Sequence, residues 1–133
     1  MQISQAESVV MEVLWQRSPQ TSEEVVAALG HRQAWQEATI KTLLNRLLNK
    51  GAIEAQKDGR RYLYRPTLRR EDWVMCESES LLARLFDGRV APLVAHFSQH
   101  RKLSAADVAE LRRLVDSLDD AQEGKEAGHD RDE

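Results

Sequence analysis

Between Glu37 and Gly51 the chain sets Ile40, Leu43, Leu44, Leu47 and Leu48 at three- and four-residue steps, and Thr39, Lys41, Thr42, Asn45, Arg46 and Asn49 fall off that stripe. This is the period of an amphipathic helix with one apolar and one polar face. Gly51 ends it, because a helix-closing residue in the left-handed region is least strained without a Cβ. The period then changes. Ala52–Gln56 and Arg61–Arg65 read as two strands, and Asp58-Gly59 between them supplies the positive φ that a tight hairpin turn needs. Pro66 closes the unit. A helix that must bury an aliphatic stripe and runs straight into a hairpin leaves few folds open.

The residues before it narrow the choice further. Ser4-Gln5-Ala6-Glu7 is a capping box, followed by Ala6, Val9, Val10, Val13 and Leu14 at helical spacing, and the helix should stop near Trp15–Arg17, ahead of Pro19. Thr21-Ser22-Glu23-Glu24 repeats the box, with Val25, Val26 and Leu29 behind it and Gly30 as the stop. Three helices and a hairpin in this order predict a winged helix-turn-helix domain over residues 1–68.

From Arg69 the helical pattern returns in three runs. The first carries Trp73, Cys76, Leu81, Leu82, Leu85 and Phe86 and ends at Asp87-Gly88; the second, Val90 to Gln99, carries Val94 and Phe97; the third starts on Ser104 and repeats Val108, Leu111, Leu114, Val115 and Leu118. Helices this short and this rich in leucine and aromatic residues do not stay dry alone. Residues 69–118 are therefore expected to form a helical dimerisation region, with Trp73, Leu81, Leu82, Leu85, Phe86, Val94, Phe97, Leu111 and Leu114 at the contact. Residues 119–133 are acidic and small and read as a disordered tail. The fold class is mainly α with a small β-hairpin.

Charge separates along the same line. The net charge is -3, yet residues 39–70 hold nine Lys/Arg against two Asp/Glu, while residues 71–133 hold eight against fifteen. A basic block inside an acidic chain predicts that one end meets a polyanion. A major groove admits one helix, whose exposed side chains reach base edges while basic neighbours hold phosphates. Lys41 and Arg46 are donors for guanine or phosphate, Asn45 a bidentate partner for adenine, and Thr39 and Thr42 partners for phosphate or a thymine methyl group. Arg60 and Arg61 would sit at the wing tip. Two-fold pairing would set two such helices about 34 Å apart, or a multiple of it, on a near-palindromic duplex.

Two other readings compete. A winged domain can dock an acidic protein through the same basic face. A metal-responsive regulator could use Cys76 with His96 and His100, which stand at i, i+4 spacing; a small core or interface role is the commoner one for a free cysteine, and no metal or other cofactor is expected. Enzyme readings find no nucleophile elbow, phosphate loop or paired metal motif, and His31, His96, His100 and His129 are scattered. One cysteine, no secretion signal and no bilayer-length apolar run lead us to expect a cytoplasmic protein without membrane insertion.

Glu7 with Val10-Met11-Glu12-Val13-Leu14-Trp15, Trp35 with Ala38 through Leu47, Lys50-Gly51, Gly59-Arg60 and Tyr62-Leu63-Tyr64 together resemble the penicillinase-repressor and copper-transport-repressor family of winged-helix regulators. The likeness continues through Ser80–Gly88, Pro92–Phe97 and Leu103–Leu114, covering residues 4–118. It implies a homodimeric repressor on an inverted-repeat operator. In the penicillinase branch it further implies inactivation by a membrane sensor protease cutting between asparagine and phenylalanine, a position that reads His96-Phe97 here. Copper-responsive members carry a C-terminal cysteine cluster, and this chain has no cysteine after Cys76.

Overall fold

The first helix, α1 (Gln5–Gln16), starts on the expected box: the Glu7 N–H donates to Ser4 Oγ, and the Ser4 N–H donates to Glu7 Oε1. The computed structural model describes residues 1–30 and 32–130. After α1 come α2 (Ser22–Gly30), α3 (Glu37–Lys50), the strands β1 (Ile53–Asp58) and β2 (Arg61–Pro66), and then α4 (Arg70–Leu85), α5 (Val90–Gln99) and α6 (Ala105–Asp130). The second box also forms, with Thr21 and Glu24 exchanging hydrogen bonds ahead of α2. The Thr21 N–H in particular holds the Glu24 carboxyl below its usual pKa. Gly51 closes α3 in the left-handed region at φ 77°.

The chain forms two compact units, Met1–Ser78 and a second beginning at Glu79. In the first, the stripe of α3 (Ile40, Leu43, Leu44, Leu47) meets Val10, Met11, Val13 and Leu14 of α1 and Val25 and Leu29 of α2, joined by Ala52 and by Ile53 at the start of β1. Each fully buried aliphatic side chain contributes on the order of 1.5–3 kcal/mol. The strands pair antiparallel from Ile53↔Pro66 to Asp58↔Arg61. One isolated bridge lies outside these two strands and leaves no local signal in the sequence. Gln20 and Tyr64 exchange both backbone hydrogen bonds (3.0 and 2.7 Å), which fixes the hairpin to the α1–α2 connection. The buried Gln20 side chain donates to the Val13 carbonyl (2.9 Å) and the Arg17 carbonyl, satisfying the end of α1.

Three expectations are revised. The hairpin turn centres on Gly59-Arg60, since Asp58 pairs with Arg61, and Gly59 alone takes positive φ (66°). The first unit extends beyond residue 68 because Trp73, assigned above to a dimer contact, packs on its core: its ring lies 5.4 Å from that of Trp15, whose Nε1 donates to the Leu68 carbonyl. Residues 119–130, expected to lack structure, continue α6, because Ala121, Gln122 and Glu123 favour helix even without an apolar face. Residues 131–133 of that tail, and His31, lie outside the described residues.

One ion pair ties the start of α1 to the end of α3. Lys50 Nζ lies 2.6 Å from Glu7 Oε1 and also donates to the Gln2 carbonyl, although Glu7 is only 2% exposed. Burial by itself pushes the Glu7 carboxyl up, but hydrogen bonds from Lys50 and Ser4 overcome it, so the pKa falls below the usual 4.5. A depressed carboxylate pKa stabilises the fold above the unfolded value and loses that contribution as pH falls through the folded one. Chemical denaturation should therefore show wild-type stability declining below about pH 4.5 more steeply than that of Glu7→Gln. Lys50→Met, which strands the carboxylate, should cost about 2–3 kcal/mol at pH 7, less than a fully buried pair because Lys50 is half in solvent. Equal acid profiles for wild type and Glu7→Gln would refute the linkage.

Candidate nucleic-acid interface

With Ile40, Leu43, Leu44 and Leu47 turned into the core, the opposite side of α3 has to face water. Thr39, Lys41, Thr42, Asn45 and Arg46 are all exposed there. Ala38 and Asn49, which were not singled out as contacts, share this face and with Thr42 and Asn45 form its central row. Asn49 was legible in the sequence, since it lies off the apolar stripe, but only the capped helix running to Lys50 keeps it in line with the others. Thr42 Oγ1 donates to the Ala38 carbonyl at 2.9 Å.

The cations differ in readiness. Lys41 pairs with Glu37 one turn earlier (3.0 Å), an exposed contact of little strength. Arg46 makes no salt bridge among the described residues, and neither do Arg60 in the turn, Lys57 on β1 or Arg32 before α3. Arg61 leans on Asp58 at 3.3 Å, and Arg65 on Glu54 at 3.7 Å. All but Arg65, which is half-buried, stand exposed. The winged unit thus presents one groove-sized helix face with unpaired cations on helix and wing.

In the second unit none of the described residues is buried. Leu81, Leu85, Phe97 and Leu114 are exposed, Leu85 by 64% and Leu114 by 54%. Leu82, Phe86, Val94 and Leu111 are half-buried. Val94 and Leu111 line an open apolar groove of about 320 Å³ between α5 and α6. His96 packs among Phe86, Phe97 and His100 in tilted and edge-on contacts, with ring centroids 5.9, 5.5 and 4.7 Å away. Cys76 is exposed, so it is not a core residue of the protomer. No group of three or more metal-ligating side chains forms among the described residues. None of the described helices is long and apolar enough to cross a membrane.

The sequence matches the penicillinase repressor family over residues 3–117. It is 35% identical over 115 residues to the penicillinase repressor of Bacillus licheniformis, covering 86% of this chain and 90% of that protein. To the methicillin resistance regulatory protein MecI of Staphylococcus aureus it is 27% identical over 114 residues, covering 86% and 93%. Among solved structures, the DNA binding domain of the repressor BlaI superposes with a TM-score of 0.50 at 41% identity, over 53% of this chain and 87% of that one. With the match spanning both the winged half and the helical half, this chain belongs to the penicillinase repressor family.

Proposed function

We propose that this protein is a sequence-specific DNA-binding transcriptional repressor of the antibiotic-resistance type, acting in the cytoplasm as a homodimer on an inverted-repeat operator. The observation that carries the reading is the exposed α3 face, with Thr39, Lys41, Thr42, Asn45 and Arg46 on the helix and Arg60 and Arg61 on the wing of the same compact unit. The names of its relatives, penicillinase repressor and methicillin resistance regulator, point the same way. Dimerisation rests on the absence of buried residues among those described in the second unit, whose leucines gain a dry environment only from a second copy. By resemblance, the partner that relieves repression is a membrane sensor protease acting at His96–Phe97. That bond lies within α5, so cleavage requires the helix to open locally.

Genomic fragments selected on purified protein should share a near-palindrome, and binding to it should weaken steeply with added salt, because releasing condensed counterions gains less free energy in a saltier solution. Sedimentation should report a dimer at micromolar concentration. A module that only docks acidic proteins would enrich no common sequence, and that result would overturn the reading.

A further inference from the structure

Along the middle of the exposed α3 face run four side chains with no charge: Ala38, Thr42, Asn45 and Asn49. The charged Lys41 and Arg46 stand to either side of this row. A flanking cation is suited to the phosphates that border a groove, whereas the row between them faces the groove floor, where sequence is read. We propose that Asn45 and Asn49 form the base-reading pair of this helix, each taking the major-groove edge of an adenine; the inference rests on the DNA-binding reading and specifies its contacts.

Three observations support it. A carboxamide carries one acceptor and one donor group side by side, which complements the N6 amine and N7 of adenine and no other single base edge in that groove. Neither amide is engaged in a hydrogen bond among the described residues, so both donor and acceptor are available. Thr42, one turn before Asn45, has already spent its hydroxyl proton on the Ala38 carbonyl. It can offer a partner only its methyl group and the oxygen lone pairs, and Ala38 offers only a methyl; both suit the C5 methyl of thymine. The row as a whole is therefore chemically biased toward A·T pairs.

The spacing makes the inference quantitative. Asn45 and Asn49 are one turn apart, about 6 Å along the helix axis, which is close to two base-pair steps of about 3.4 Å each. The two adenines should therefore stand two base-pair steps apart in each half-site.

The test is site selection from a randomised duplex pool with the full chain, followed by anisotropy titration of the selected site and of single-base variants. Wild type should select adenine at two positions two steps apart in each half-site. Asn49→Ala, at an exposed position, should lose discrimination at one of them by about 5- to 150-fold and Asn45→Ala at the other. Both should keep the wild-type circular dichroism spectrum and the wild-type salt slope, because no phosphate contact is removed. Full discrimination at both positions in the two variants would overturn the inference while leaving the DNA-binding reading intact. Failure of the wild type to bind any duplex would overturn both.

Discussion

The double variant Lys41→Ala/Arg46→Ala is expected to bind the operator at least about 30-fold more weakly than wild type at physiological salt, since each lost charged contact to base or phosphate is worth about 1–3 kcal/mol. Arg46 should account for more of this than Lys41. The guanidinium is exposed and unpaired among the described residues, whereas Lys41 must first leave Glu37. The way the loss divides is informative. If both side chains neutralise phosphate, the slope of log affinity against log salt becomes shallower by nearly two per protomer, about 0.9 for each contact. If Arg46 forks onto guanine, part of the loss appears as relaxed sequence preference instead. Anisotropy titrations over a range of salt, with specific and scrambled duplexes, separate the two. Affinity unchanged in the double variant would remove α3 as the contact element.

The largest effect on stability should come from Leu44→Ala. Leu44 is 1% exposed in the midst of the core shared by α1, α2 and α3. Removing a buried leucine down to Cβ costs about 2–5 kcal/mol, the lost transfer free energy plus the cavity left behind. Against a total of roughly 5–15 kcal/mol for a native domain, that is a large fraction. A unit of this size should lose about 10 °C or more in melting temperature. DNA affinity should fall with the folded fraction and recover when low temperature restores the fold, which distinguishes this variant from the contact variants above. Leu48→Ala, at a half-buried position of the same helix, should cost clearly less. Equal losses at the two positions would mean that α3 packs differently.

The parts of the fold that were legible in the sequence are those encoded by neighbours. The box at Ser4–Glu7, the stripe Ile40–Leu48, the Gly51 stop and the polar face with Asn45 and Arg46 all depend on residues three or four apart, where side-chain pattern and geometry coincide. Contacts made across longer separations were hidden. The Gln20–Tyr64 bridge is a backbone pairing that leaves no side-chain signature, and the Glu7–Lys50 pair joins residues 43 positions apart. Trp73 read as one more aromatic in a helical run, because nothing local shows that Trp15 lies across from it. The turn was off by one residue for a simpler reason: Asp58 favours turns but here completes β1, and Gly59 alone supplies the positive φ. The exposure of Leu85 and Leu114 was implied by composition, yet the apolar groove between α5 and α6 emerges only when both helices are packed.

Because Gln20 and Tyr64 exchange both backbone hydrogen bonds, and the Thr67 N–H returns to the Ala52 carbonyl at 2.9 Å, the wing is anchored near its base to the same scaffold that carries α3. Helix and wing would meet a duplex as one preformed surface, with little ordering of the chain left to accomplish on contact. Calorimetry of the encounter should then register a heat-capacity change set by the area covered rather than by any coupled folding.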